Sequence, residues 1–162
     1  MSPDNKELRT EPNHAGVIAP PPLVFTVPLV LGLLANRRLR VGFLPENLNR
    51  PVGLGFLAGG LALGGWFFRT MRAADTPVDP YRPVARLVVD GPFRLTRNPA
   101  YLAFVMDYIG IAALRNSLPS ILLLPAVVEL MNRGVIEREE EYLGREFGSE
   151  YERYKKRVRR WL

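Results

Sequence analysis

The chain has 162 residues, 48% of them hydrophobic and 23% charged, with a net charge of +6 and a pI near 10.1. It has no cysteine and one histidine, His14. That composition excludes disulfides, a thiol nucleophile, cysteine-built metal sites, and any triad or metal centre built on histidine. The apolar residues come in blocks and the charges cluster between them, so the basic excess reads as membrane topology rather than nucleic-acid binding.

Residues 1–16 are polar, mixed in charge and interrupted by Pro3, Pro12 and Gly16, which predicts a disordered tail. No apolar core follows a basic start there, so the tail is not read as a signal peptide. Residues 17–162 read as one membrane domain. Val17 to Leu34 forms a first span, started by Pro20, Pro21 and Pro22 and kinked at Pro28. A basic loop, Arg37 to Arg50, leads to a second span from Val52 to Phe68. Gly55 and Gly59, and Gly60 and Gly64, are four residues apart, a spacing that lets membrane helices approach closely. The expected partner is the first span. Trp66, Phe67, Phe68 and Arg69 mark an interfacial end.

The connection from Arg69 to Asn98 is long and polar, which predicts function. Asp75 and Asp79 lie in it, better suited to capping turns than to holding a metal. Its last part, Leu87 to Tyr101, reads LVVDGPFRLTRNPAY. Asp90-Gly91-Pro92 predicts a tight turn. Asn98 is a good N-cap and Pro99 fits the first helical position. A helix start offers N–H groups and a partial positive charge, suiting a carboxylate or phosphate. Arg94 and Arg97 add fixed positive charge. A membrane-interface anchor of snorkelling arginines and a belt tyrosine accounts for the same residues.

Pro99 to Leu114 and Leu118 to Met131 predict two short apolar helices, read as a tightly packed hairpin joined by Arg115-Asn116-Ser117. Asp107 and Glu129 fall inside them, and an ionisable group at membrane depth is a functional candidate. Glu129 stands four residues before Arg133, an ordinary helical ion pair; Asp107 has no such local partner. Asn132 to Phe147 predicts a polar helix rich in glutamate, with Ile136, Glu140, Leu143 and Phe147 on its buried face. Gly148 ends it, and Ser149 with Glu152 forms a capping box for a basic helix, Glu150 to Arg160, suited to an anionic membrane surface. With four spans, 17 of the 22 Lys and Arg residues fall on one side and 5 on the other. That bias puts both termini, the Leu87–Tyr101 stretch and the glutamate helix in the cytoplasm of an inner or cell membrane.

Leu87-Val88, Gly91-Pro92-Phe93-Arg94, Arg97-Asn98-Pro99 and Tyr101, followed by Glu139-Glu140, Leu143, Phe147-Gly148, Tyr151 and Tyr154, resemble the isoprenylcysteine carboxyl methyltransferase and phospholipid methyltransferase families. The resemblance covers about residues 76 to 160 and is specific in the order and spacing of its two parts. It implies an all-α integral membrane enzyme that binds S-adenosylmethionine on the cytosolic side and methylates a membrane-associated acceptor. That acceptor is an isoprenylcysteine-like carboxylate, a lipid amine or a small thiol. By the resemblance, Leu87, Val88, Phe93, Arg97, Asn98, Pro99, Ala100, Tyr101, Glu139 and Glu140 belong to the cofactor pocket, and Arg97 and Glu140 are catalytic candidates. Expected partners are the bilayer and a lipidic acceptor, with no metal and no nucleic acid. Phe93 departs from the families' usual Tyr, Asn98 from the His of eukaryotic members, and Val135 from a substrate-binding Arg. An NADPH-dependent membrane reductase and a non-catalytic membrane scaffold are the competing readings; the paired glutamates and the FG-x-x-Y-x-x-Y run favour the methyltransferase.

Overall fold

Proline sets most of the helix starts. In the computed structural model, which describes residue 16, residues 19–77 and residues 86–162, α1 (Pro21–Leu39), α3 (Pro99–Leu114) and α4 (Leu118–Met131) each carry proline in their first two positions. A fixed φ and a missing N–H cost nothing there. Helix α2 (Glu46–Ala73) follows Pro45 and has Glu46 in its first turn, where a negative charge suits the helix dipole. It therefore starts six residues before the predicted Val52 and runs through Pro51. A single-turn 3₁₀ segment, Gly91–Arg94, forms the predicted turn, with Gly91 at φ 61°. The predicted tail, up to residue 15, and Asp79 lie outside the described residues.

The described residues form helices and no strand. α3 and α4 have the bounds expected from the sequence, but α4 does not stop at Met131. It passes through a π-helical segment, Asn132–Ile136, into α5 (Glu137–Phe147), making one 30-residue helix. Gly148, at φ 48°, then turns the chain into α6 (Ser149–Arg157). The predicted capping box is not formed. Gly148 is the N-cap, and Ser149 Oγ accepts a hydrogen bond from Arg153 instead.

Three helices are long and apolar enough to cross a membrane: α1, α2 and the α4–α5 helix. α3, with 16 residues, is shorter, at about 24 Å. Leu23, Leu31, Leu54, Leu61 and Leu122 point outward from these helices, as lipid-facing side chains would. Seven of the eleven residues of α5 are charged, so the hydrocarbon boundary falls before it.

Packing differs from the expected hairpin. α3 lies mainly against α2, and α4 mainly against α1. The cause is where side chains are missing. A Cβ on Gly53 would come within 2.9 Å of the Gly110 carbonyl, and one on Gly110 within 3.0 Å of the Gly53 carbonyl. A Cβ on Gly32 would come within 2.6 Å of Ser120. The glycines of α2 therefore serve α3, not the first span, and Gly55 faces open space. Val24, Phe25, Leu29, Tyr108, Ala112, Val127, Met131, Val135 and Ile136 fill the core between α1, α3 and α4.

The loops sort to two ends. Asn116 accepts from the N–H groups of Phe43 and Leu44 and donates to the Leu44 carbonyl, joining the α1–α2 and α3–α4 turns. The 3₁₀ turn, α5 and α6 gather at the opposite end, where Tyr154 Oη donates to the Phe93 carbonyl at 2.8 Å.

Candidate active site

At that second end a cavity of about 580 Å³ opens between α2, α3, α5 and α6. Leu87, Val88, Phe93, Arg97, Asn98, Pro99, Ala100, Tyr101, Glu139 and Glu140 all line it. Residues separated by as many as 53 positions in sequence thus share one wall system. Small-molecule sites typically enclose about 300–1,000 Å³, so the space is of ligand size.

Tyr101 and Glu139 join the two halves. Tyr101 stands in the first turn of α3, and its Oη donates to Glu139 Oε1 at 2.6 Å. Burial lifts the Glu139 carboxyl to about 7, against the lowering effect of the Tyr101 hydrogen bond and with a smaller upward push from Glu140. A carboxyl at that value is poised between charged and neutral at physiological pH.

Arg97 and Glu140 form the second link, with Arg97 Nη1 3.1 Å from Glu140 Oε1 and both side chains largely buried. Arg97 Nε nevertheless has no hydrogen-bond partner, and Nη1 meets Glu140 only through the ion pair. Buried guanidinium donors left open in this way suit an anionic group of a ligand. Arg160 completes the cluster: its Nε donates to Glu140 Oε1 at 3.1 Å and its Nη2 to Oε2 at 2.8 Å. Glu140 is therefore held by two arginines, whereas Glu139 has a phenol and an open cavity.

Asn98 does not cap α3 with its side chain. Its Nδ2 donates to the Arg160 carbonyl at 2.9 Å, and Thr96 Oγ1 donates to the same carbonyl at 3.0 Å. The Arg97 N–H donates to the Arg159 carbonyl at 3.0 Å, and Trp161 Nε1 to Asn132 Oδ1 at 3.1 Å. Residues 159–161 thus strap the Arg97–Pro99 turn to the π-helical segment. Sequence reading missed this role, because Arg159 and Arg160 read as the end of a basic helix suited to an anionic membrane surface. It ends instead at Arg157, with Val158 extended. The aromatic side of α6 does not face a membrane surface. Tyr151 and Tyr154 are buried and line the cavity. Burial raises the Tyr151 phenol to about 12, so its proton stays on at neutral pH.

The lower wall is apolar: Phe67, Phe68 and Met71 from α2, and Pro21 and Pro22 from α1. α1's contribution was not foreseen. Asp107 also reaches the cavity, from two turns below the start of α3. Glu129 pairs locally with Arg133, as its spacing predicted. No group of His, Cys, Asp or Glu able to hold a metal occurs among the described residues.

Comparison with known proteins agrees with this architecture. A family model described as phospholipid methyltransferase matches residues 48–150, which take in nearly all of α2, the Leu87–Tyr101 stretch and the paired glutamates. An uncharacterized protein of Haemophilus influenzae is 58% identical over 33 residues, 20% of this chain and 52% of that protein. The chain thus spans about half the length of the curated relative it matches. No solved structure matches the chain.

Proposed function

The chain belongs to the phospholipid methyltransferase family, and from that membership we propose that it methylates a membrane-partitioning acceptor at the expense of S-adenosylmethionine bound in this cavity. The observation that carries the reading is the Tyr101–Glu139 hydrogen bond. It brings the Arg97–Tyr101 turn and the paired glutamates to one ligand-sized space.

The residues present fit the donor. The start of α3 and the open Nε donor of Arg97 suit its carboxylate. Glu139 suits its amino group or ribose hydroxyls, and Tyr101 fixes the direction in which that carboxylate points. Phe93, Tyr151 and Tyr154 wall the space with aromatic surface. When bound, the donor supplies a methyl group on a sulfonium, already a good leaving group. What the protein adds is alignment and exclusion of water. Neither task needs histidine, cysteine or a metal. The acceptor is a lipid amine, a prenylcysteine-like carboxylate or a small thiol, entering from the apolar side. By the distribution of Lys and Arg, the cavity opens to the cytoplasm.

Binding of labelled S-adenosylmethionine and of NADPH to the purified protein tests the reading. S-adenosylmethionine is expected to bind and NADPH not to. Glu139→Ala and Tyr101→Ala are each expected to weaken binding by about tenfold or more, the usual effect of losing a charge-assisted hydrogen bond. Parent-like binding by both variants would show that the donor lies elsewhere.

A further inference from the structure

Asp107 is the only charged residue across 21–36, 51–68, 99–114 and 118–128, the apolar stretches of the four membrane-embedded helices. Its Oδ1 is buried and has no hydrogen-bond partner. A buried carboxylate oxygen without a partner is costly, and at this depth the residue is a functional candidate. The fold makes room for it: a Cβ on Gly60 of α2 would land on Asp107 Oδ1. Asp107 also lines the cavity, on the α3 face that carries Ala100, Ala103 and Phe104. That face leads down from the helix start, and Asp107 lies about 10 Å along it from Ala100.

Among the described residues, the charges lining the cavity are one cation, Arg97, and three carboxylates, Asp107, Glu139 and Glu140. Arg97 is already ion-paired with Glu140. Among the described residues no lining cation is left to neutralise a second anion beside the donor's own carboxylate. We propose that Asp107 is the acceptor-recognition residue and that it takes an amine, borne on a molecule with an apolar chain, in preference to a carboxylate or an alcohol. This rests on the methyltransferase reading and assigns the far end of the same cavity. The ammonium group supplies the counter-charge that Asp107 lacks. Once its proton passes to that carboxylate, the neutral amine's lone pair can take the methyl as the carbon–sulfur bond breaks and the donor leaves as a thioether. The apolar walls of α1 and α2 cover the attached chain.

The test uses octylamine, octanol and octanoate, titrated calorimetrically into the purified protein, with S-adenosylmethionine affinity measured separately. The parent is expected to prefer octylamine by about tenfold or more, the scale of a charge-assisted hydrogen bond. Asp107→Asn is expected to abolish that preference while leaving S-adenosylmethionine affinity within about twofold, because uncoupled sites perturb one another little. Equal binding of the three probes by the parent overturns the proposal. So does a preference that survives in Asp107→Asn. A selective loss of S-adenosylmethionine binding in that variant also overturns it, since the carboxylate would then serve the donor. Should Asp107→Asn not fold, Asp107→Glu keeps the charge but displaces it by one methylene. An undiminished octylamine preference in that variant counts against the assignment. A parent that binds octylamine selectively but not S-adenosylmethionine refutes the methyltransferase reading and leaves the amine site standing.

Discussion

Glu139 and Glu140 are chemically identical neighbours with opposite environments. Glu140 is neutralised by Arg97 and Arg160. Glu139 is buried beside a single phenol and is lifted to about 7. If Glu139 must be ionised to hold the amino group of the donor, affinity has to follow its titration. Below about pH 7 the free protein carries the neutral acid, and binding must first expel a proton. S-adenosylmethionine affinity is therefore expected to rise between pH 6 and pH 8, with Glu139→Gln binding weakly and without that slope. The Tyr101 hydrogen bond lowers the Glu139 value, so Tyr101→Phe should move the midpoint to higher pH rather than merely weaken binding. Equilibrium binding across that range, with radiolabelled donor, reads both effects. A flat profile in the parent would mean that Glu139 is not the group that meets the donor's cation.

Helix α2 shows how position decides what a glycine does. Gly53 is pressed against Leu114 and the Gly110 carbonyl, whereas Gly55, two residues on, meets nothing within 4 Å. Gly53→Val is expected to lower stability by about 1–3 kcal/mol through overpacking. Gly55→Ala is expected to hold or raise it, by up to about 1 kcal/mol of helix propensity. Thermal midpoints in one detergent compare them directly. The same contrast explains what was legible in the sequence. The bounds of α3 and α4 were readable because proline, Asn98 and Ser117 punctuate their starts and the apolar runs have sharp edges. Helix partners were not, because a small-residue spacing specifies a close approach without saying to what. Gly53, outside the i, i+4 pairs, makes the closest backbone approach to α3, and Gly59 and Gly60 from those pairs meet Met106 and Asp107 of the same helix. The ten cavity residues were legible from paired motifs. The strap at residues 159–161 was not, because it acts largely through backbone carbonyls of Arg159 and Arg160, which carry no sequence signature.

At the scale of the whole molecule, the two ends differ in chemistry as well as in loops. One end holds the Asn116 knot between the α1–α2 and α3–α4 turns. The other holds the cavity, the glutamates and most of the arginines. The positive-charge bias is the ground for proposing that the second end faces the cytoplasm, where S-adenosylmethionine is made and where the cavity would have to open. The absence of cysteine makes this directly measurable. Arg115→Cys places one thiol on the exposed α3–α4 turn, and Glu146→Cys places one on the exposed side of α5. With a membrane-impermeant maleimide, Arg115→Cys is expected to react in intact cells and Glu146→Cys only after the membrane is opened. Removing Arg115 takes one positive charge from the outer side, so the substitution reinforces the orientation it reports. The reverse labelling pattern would turn the cavity outward, away from the donor supply. It would leave the fold as described and remove the cytosolic methyl donor from the account.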